Sequence, residues 1–351
     1  MGKRGVRNIL VLMPDRHMGN LIVSIPAIQG LREFYIDARF YLAIDSRYTE
    51  VVEAVAGLDS LIPYPREEMV KGSYFKHSFL FLQFVRRLRG ARPDVAIDLC
   101  GREYSSVLTL LSGASIRYGP AISKRAFLYN RRVTFSDRDH KLFSYLDIAS
   151  AAGADTTVRF NLRPSDSKRL SLMEKLRGHG VELDRGIVCI HPGAGKVYKL
   201  WSLEGFAEIS DWLYSKGIQV VFIGGEEDGR IIKEIGLITR YPFYNTAGML
   251  SLGELMALFE RSSLFIGNDS GPMHLAGAMN LPIVGLFGPA DERRWGPLTD
   301  KKVILRGRER CQRCYGKDCD LGFQCIKGVR VEDVKRGIED LLKDAMERQA
   351  G

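Results

Sequence analysis

Asp269, Ser270, Gly271, Pro272, Met273 and His274 form a block whose chemistry points to an anion. The apolar stretch Leu264–Gly267 before it has the composition of a buried strand. Pro272 suits the first turn of a following helix, where its fixed φ is helical and its missing N–H would be unbonded anyway. Such a helix turns free backbone N–H groups and the positive end of its dipole toward the loop, which makes a phosphate site. Gly271 lets a ligand approach the backbone. Ser270 is able to cap the helix or to bond an oxygen, and His274 lies in the first turn. An ordinary strand-to-helix turn accounts for Ser270, Gly271 and Pro272, but less well for Asp269 beside His274.

A second stretch runs from His191 through Gly193, Gly195, Lys196 and Lys199 to Trp201 and Ser202. Gly193 and Gly195 free backbone amides to approach oxygens, and Lys196 and Lys199 supply cations. A glycine-lysine loop alone is a weak signal. Two cationic or dipolar elements that flank one diphosphate make a stronger one. Glu226 and Glu227 follow Ile223 at a third strand end, where carboxylates suit ribose hydroxyls. Met249 and Leu250 lie in a loop ahead of a helix capped at Ser251, with backbone groups able to read a base edge. Taken singly, these last two are more readily structural turns.

These loops need strands behind them. Hydrophobic periodicity places strands at Asn8–Met13, Arg39–Ile44, Val95–Leu99 and Ser115–Tyr118. Helices fit Leu21–Phe34, Tyr48–Ala56, Phe75–Arg89 and Ser105–Leu111. A second strand series covers Gly186–Ile190, Gln219–Ile223, Leu264–Gly267, Ile283–Phe287 and Lys302–Leu305, with helices over Lys168–Arg177 and Val331–Arg348. The alternation predicts an α/β protein with two Rossmann-like domains facing a central cleft. Pro164, with helix-capping residues after it, puts the boundary between 1–165 and 166–351.

The chain's 351 residues are enough for two cores, and its 45% apolar and 26% charged residues suit a globular protein. Ile9–Met13 is too short for the apolar core of a signal peptide and reads as a first strand, so a cytoplasmic location is expected. The formal charge is +9, with seven basic residues between Ile116 and Lys141 against Asp137 and Asp139. A local basic cluster that includes Arg117, Lys124 and Arg125 suits an anionic partner.

Together with Asn20–Ile28, these motifs resemble glycosyltransferase family nine, the bacterial heptosyltransferases, over nearly the whole chain. The resemblance implies a GT-B architecture and inverting transfer of heptose from ADP-heptose, without a catalytic metal. It implies a lipopolysaccharide inner-core or related glycan as acceptor. The donor would bind the C-terminal domain: Lys199, Asp269, Ser270 and Gly271 at the phosphates and sugar, Glu226 or Glu227 near the ribose, Met249 or Leu250 near the adenine. The N-terminal domain would take the acceptor, an anionic lipid-linked saccharide, with His17, Arg117, Lys124 and Arg125 facing it. Peripheral contact with the cytoplasmic face of the inner membrane follows. One position departs from the family. Met18 and Gly19 are followed by Asn20 where an aspartate base is usual, and an amide cannot take the acceptor's proton. Asp15 in the same loop is the leading substitute, with His17 behind it; the alternative is a catalytically impaired sugar-nucleotide-binding homologue.

Cys311, Cys314, Cys319 and Cys325 are spaced to close a tetrahedral structural zinc or iron site, with free thiols or an occasional disulfide as the alternative. Some related autotransporter heptosyltransferases hold iron in such a finger. Cys100 and Cys189 read as packing residues. Phe75, Phe79, Phe81 and Phe84, mixed with Arg86, Arg87, Arg89 and Arg92, read as a helix packing its Phe and Leu side chains inward; a membrane-surface helix has a similar pattern. Two other functions share features with this chain. A nucleotide-sugar epimerase shares the fold. A nucleic-acid-binding protein shares the charge and the cysteines but leaves the Asp269–His274 block unexplained, so no nucleic acid is expected.

Overall fold

Five consecutive apolar residues, Ile9–Met13, require a strand covered on both faces, and all are at 0–1% exposure. In the computed structural model, which describes residues 5–55, 57–58, 60–182, 185–307, 319 and 322–350, they form β1 (Asn8–Met13). Around it stand β2 (Arg39–Asp45), β3 (Ser60–Tyr64), β4 (Val95–Asp98), β5 (Ile116–Pro120) and β6 (Arg131–Val133). Their order is β3-β2-β1-β4-β5-β6, and every pair is parallel. A second sheet holds β7 (Ile187–His191), β8 (Gln219–Phe222), β9 (Tyr244–Asn245), β10 (Ser262–Asn268), β11 (Ile283–Phe287) and β12 (Lys302–Arg306). It is also all parallel, in the order β12-β11-β10-β7-β8-β9. The chain divides into two compact units, Met1–Arg163 and Pro164–Gly351.

Counted from its own first strand, each sheet has the doubly wound Rossmann order. The strand order reverses between β1 and β4 in one sheet and between β7 and β10 in the other. Loops leaving the C-terminal ends of strands at such a reversal open a crevice for ligands. Those loops carry Asp15 and His17, Cys100 and Arg102, Gly193 to Lys199, and Asp269 and Ser270.

In the first unit, helix Met18–Phe34 follows β1 and buries every residue from Leu21 to Ile28. It packs on helix Lys141–Ala151, where a Cβ on Gly30 would lie 2.4 Å from the Asp155 carbonyl oxygen, so only glycine fits. In the second unit Phe206, Phe222, Ile232, Ile266 and Leu286 form a core closed by Val334, Ile338 and Leu341 of helix Val331–Ala350. Burying a side chain of this size contributes about 1.5–3 kcal/mol.

One expectation holds only in part, with Leu80 and Phe81 packed against the same core as Phe84 and Leu88. In helix Tyr74–Gly90 the buried residues are Phe84, Val85 and Leu88, while Phe75, Phe79 and Leu82 are exposed. At 3.6 residues per turn, positions 75, 79 and 82 lie on the face opposite 84 and 88.

The first core also holds a carboxylate. Asp98, at the end of β4, is fully buried and accepts hydrogen bonds from the Tyr129 hydroxyl (2.6 Å) and the Gly101 amide (2.9 Å). Burial outweighs these donors and pushes its pKa up to about 6. A pKa raised on folding contributes stability below the unfolded value, near 3.8, that is lost as pH rises through about 6. The loss amounts to about 3 kcal/mol. In urea unfolding, Asp98→Asn is expected to gain on the wild type by up to that amount between pH 4 and pH 7.5. A stability difference that stays flat with pH would contradict this.

Candidate active site

Asp15 is buried just after β1, with its carboxylate ringed by donors. Oδ1 accepts from the His17 amide and from His17 Nδ1, both at 2.9 Å. Oδ2 accepts from Asn20 Nδ2 at 3.0 Å and lies 3.5 Å from Arg102 Nη2. Burial alone would raise the pKa of Asp15, but the His17, Asn20 and Arg102 interactions together outweigh it and hold the carboxyl at about 2. So low a pKa makes a weak base.

His17 caps the helix with extended backbone, and its ring is half exposed. Arg16 Nε lies 3.2 Å from its Nε2. A guanidinium only donates and an ionised carboxylate only accepts, so the two contacts fit the tautomer with hydrogen on Nδ1 and a lone pair on Nε2. The loop that presents it is clamped. Arg66 Nη2 and the Tyr104 hydroxyl both donate to the Pro14 carbonyl at 2.7 Å, and the Tyr48 hydroxyl donates to the Arg16 carbonyl at 2.7 Å. Buried Asp45 orients Arg47 through a two-armed contact and Arg66 through Nε, each at 2.9 Å.

Lys124 and Arg125 lie in the loop after β5, exposed, and share Glu103 at 3.2 and 3.8 Å. With Arg16, Arg47, Arg66 and Arg102 they give this edge a positive rim. Arg117 does not join it. It sits near the start of β5, where Nε donates to the Leu128 carbonyl (2.9 Å) and Nη1 to the Ala114 carbonyl (2.8 Å), so its guanidinium braces a loop.

In the second unit, Lys199 Nζ lies 2.5 Å from Oδ2 of the buried Asp269, next to the start of helix Gly271–Ala278. Ser270 makes no capping bond to that helix; its hydroxyl instead lies 3.0 Å from His191 Nδ1. In the first turn the Gly271 and Met273 amides have no acceptor within the helix, Pro272 has no N–H, and the His274 amide donates to the Ser270 carbonyl at 3.4 Å. His191 Nε2 is 3.3 Å from Asp228 Oδ2, which also accepts from the Gly225 amide at 2.9 Å. Burial raises the pKa of Asp228, but contact with His191 lowers it further, so the net shift is downward. The Asp228 carboxylate passes directly over Gly193, where any Cβ would collide with it. His274 is buried with Nε2 4.0 Å from Asp269 Oδ1.

Asn268 ties these pieces together. Its Nδ2 donates to the Pro192 carbonyl (2.7 Å) and its Oδ1 accepts from the Trp201 amide (3.2 Å), which pins the Gly193–Lys199 loop to the end of β10. Gly195 and Lys196 are exposed at the loop's tip. Glu226 and Glu227, exposed in the turn after β8, meet the loop of Met249 and Leu250. There the Gly248 amide donates to the Gly224 carbonyl at 3.0 Å, with φ at +72°.

The structure therefore gathers Gly193, Lys199, Asp269, Ser270, Gly271 and His274 at one end of the second sheet. Asp228 joins that group to Glu226 and Glu227. His191, Asp228 and Asn268 were not singled out as site residues from sequence. His191 did carry a signal, a polar residue ending the buried run Ile187–Ile190. Of the four finger cysteines, Cys311 and Cys314 lie outside the described residues. Cys325 is buried, and the Phe323 amide donates to Cys319 Sγ at 3.3 Å. Among the described residues no group of three or more His, Cys, Asp or Glu side chains gathers as a metal site.

Two Rossmann-like units, each with loops at its strand-order reversal, make up the GT-B architecture, and solved structures share this fold. A glycosyltransferase family 9 protein from Veillonella parvula matches with TM-score 0.84 and 23% identity, over 98% of this chain and 99% of that one. The Escherichia coli ADP-heptose lps heptosyltransferase II matches with TM-score 0.78 and 21% identity, over 97% and 99%. The lipopolysaccharide heptosyltransferase 3 of Escherichia coli K12 is 25% identical over 342 residues, 94% of this chain and 96% of that protein. The profile of glycosyltransferase family 9 (heptosyltransferase) matches residues 81–324, and the chain belongs to that family. It is a glycosyltransferase.

Proposed function

We propose that this enzyme transfers heptose from ADP-heptose to an inner-core lipopolysaccharide acceptor, with inversion at the anomeric carbon. The observation that carries the donor half is the Lys199–Asp269 pair beside the uncapped start of helix Gly271–Ala278. A cation and the unbonded Gly271 and Met273 amides at one strand end stabilise the charge that grows on a diphosphate as the glycosidic bond breaks. Glu226 or Glu227 takes the ribose, and the Met249–Leu250 loop takes the adenine. The names of the relatives, lipopolysaccharide and ADP-heptose heptosyltransferases, support both substrates.

On the acceptor side, His17 is the base and Asp15 positions it. The acceptor hydroxyl attacks the anomeric carbon, its proton passes to His17 Nε2, and the bond to the diphosphate breaks to release ADP. Arg16, exposed, yields Nε2 to the acceptor. Asp15 holds the Nδ1–H tautomer and stabilises the imidazolium that forms, as the carboxylate does in a serine protease triad. Asn20 fits this arrangement because it donates to Asp15, where an aspartate would set two carboxylates against each other. The basic rim receives the anionic saccharide. Its lipid brings the enzyme to the cytoplasmic face of the inner membrane.

The test is ADP release from ADP-heptose with and without acceptor. The proposal expects release only with acceptor. Conversion of the nucleotide sugar by the enzyme alone would indicate an epimerase, and tight binding without turnover an impaired homologue.

A further inference from the structure

We propose that the outward face of helix Tyr74–Gly90 is a docking surface for an anionic lipid bilayer. Phe75, Phe79 and Leu82 lie at spacings of four and three residues, 84%, 62% and 58% exposed, and form one stripe along the helix. Arg86 continues that stripe by another four residues. Lys76 and Arg87 border it on one side and Arg89 on the other, as 3.6-residue periodicity requires. Tyr74 and Val70, both exposed, extend the apolar surface at the N-terminal end.

The charge pattern selects the partner. Between Glu68 and Asp94 the chain has six Lys and Arg residues and no acid. Among the described residues, Lys76, Arg86, Arg87 and Arg89 make no ion pair with the protein. An aromatic stripe flanked by free cations matches a headgroup layer, with the rings at the acyl boundary and the arginines on lipid phosphates. The opposite face is anchored by buried Phe84, Val85 and Leu88, so the stripe projects from a fixed support. In the same unit Ile122 and Phe127, both exposed, stand beside Lys124 and Arg125 and repeat the chemistry on a second element. The purpose of this surface rests on the lipid-linked acceptor proposed above, but its binding is measured without any saccharide.

Co-sedimentation of the full-length protein with phosphatidylglycerol-containing vesicles and with neutral phosphatidylcholine vesicles tests it. The wild type is expected to bind the anionic vesicles, to bind neutral ones far more weakly, and to be released by salt. F75S/F79S/L82S lowers anionic-vesicle partitioning by about tenfold or more, and R86Q/R87Q/R89Q by about a hundredfold. Both variants keep the wild-type urea midpoint and ADP affinity, because none of the six side chains supports the core or the donor site. Three results would overturn the proposal: no vesicle binding, equal binding to both vesicle types, or undiminished binding by the serine variant. So would a concentration-dependent dimer that the serine variant abolishes, because the stripe would then be an interface between copies. Loss of heptose transfer with intact vesicle binding would count against the catalytic reading alone.

Discussion

His17→Ala is expected to lower kcat by about 10²–10⁴-fold, with a much smaller change in acceptor KM. The expectation rests on two contacts: Nδ1 held by Asp15 at 2.9 Å and Nε2 left with its lone pair. With the ring gone, Asp15 keeps the Asn20 and Arg102 contacts, which favour its ionised form and leave it a poor base to replace His17. Asp15→Asn should also lower kcat, because the amide no longer fixes the tautomer. The double variant should lose little more than His17→Ala alone, since the two residues act as a unit. Asn20→Asp should gain no activity. Near-normal turnover in His17→Ala with none in Asp15→Ala would return the base to Asp15. A gain in Asn20→Asp would mean that Asn20 marks a lost base.

Lys199→Met is expected to lower kcat by about 10²–10³-fold by removing a cation from the departing diphosphate. The substitution also leaves Asp269 buried without its 2.5 Å partner, and an unpaired buried carboxylate is itself destabilising. Lys199→Met/Asp269→Asn removes that second effect. It should recover thermal stability without recovering kcat, which separates catalysis from folding. Recovery of activity in the double variant would mean that Lys199 serves only to neutralise Asp269.

What could be read from the sequence follows the kind of interaction that specifies each feature. The central strands announce themselves because β1, β4, β7, β8, β10 and β11 are runs of buried apolar residues. The strands absent from the sequence reading are β3, β6 and β9, all at sheet edges. β3 contains Pro63, which cannot donate to a ladder; β6 begins Arg131-Arg132; β9 has two residues. Edge strands need little hydrophobicity and leave little trace. The anion loop at Asp269–Gly271 is local, a strand, a turn and a helix start in sequence, and so is visible. The His191–Ser270 and His191–Asp228 contacts join residues 79 and 37 positions apart, and no local pattern encodes them. The place of Arg117 near the start of β5 is not legible, because a basic cluster does not say which end of a strand carries each charge. Hydrophobicity alone does not place Phe75 and Phe79, which stand exposed on the helix. The helical phase, fixed by Phe84 and Leu88, points both rings to solvent.

The most direct measurement is the mass of the acceptor after incubation of purified enzyme with ADP-heptose and inner-core lipopolysaccharide fragments, followed by NMR of the new linkage. The account predicts a gain of one heptose, an anomeric configuration opposite to the donor's, and loss of both in His17→Ala and Lys199→Met. No gain with any inner-core acceptor, a gain from a different nucleotide sugar, or retention of configuration would contradict it.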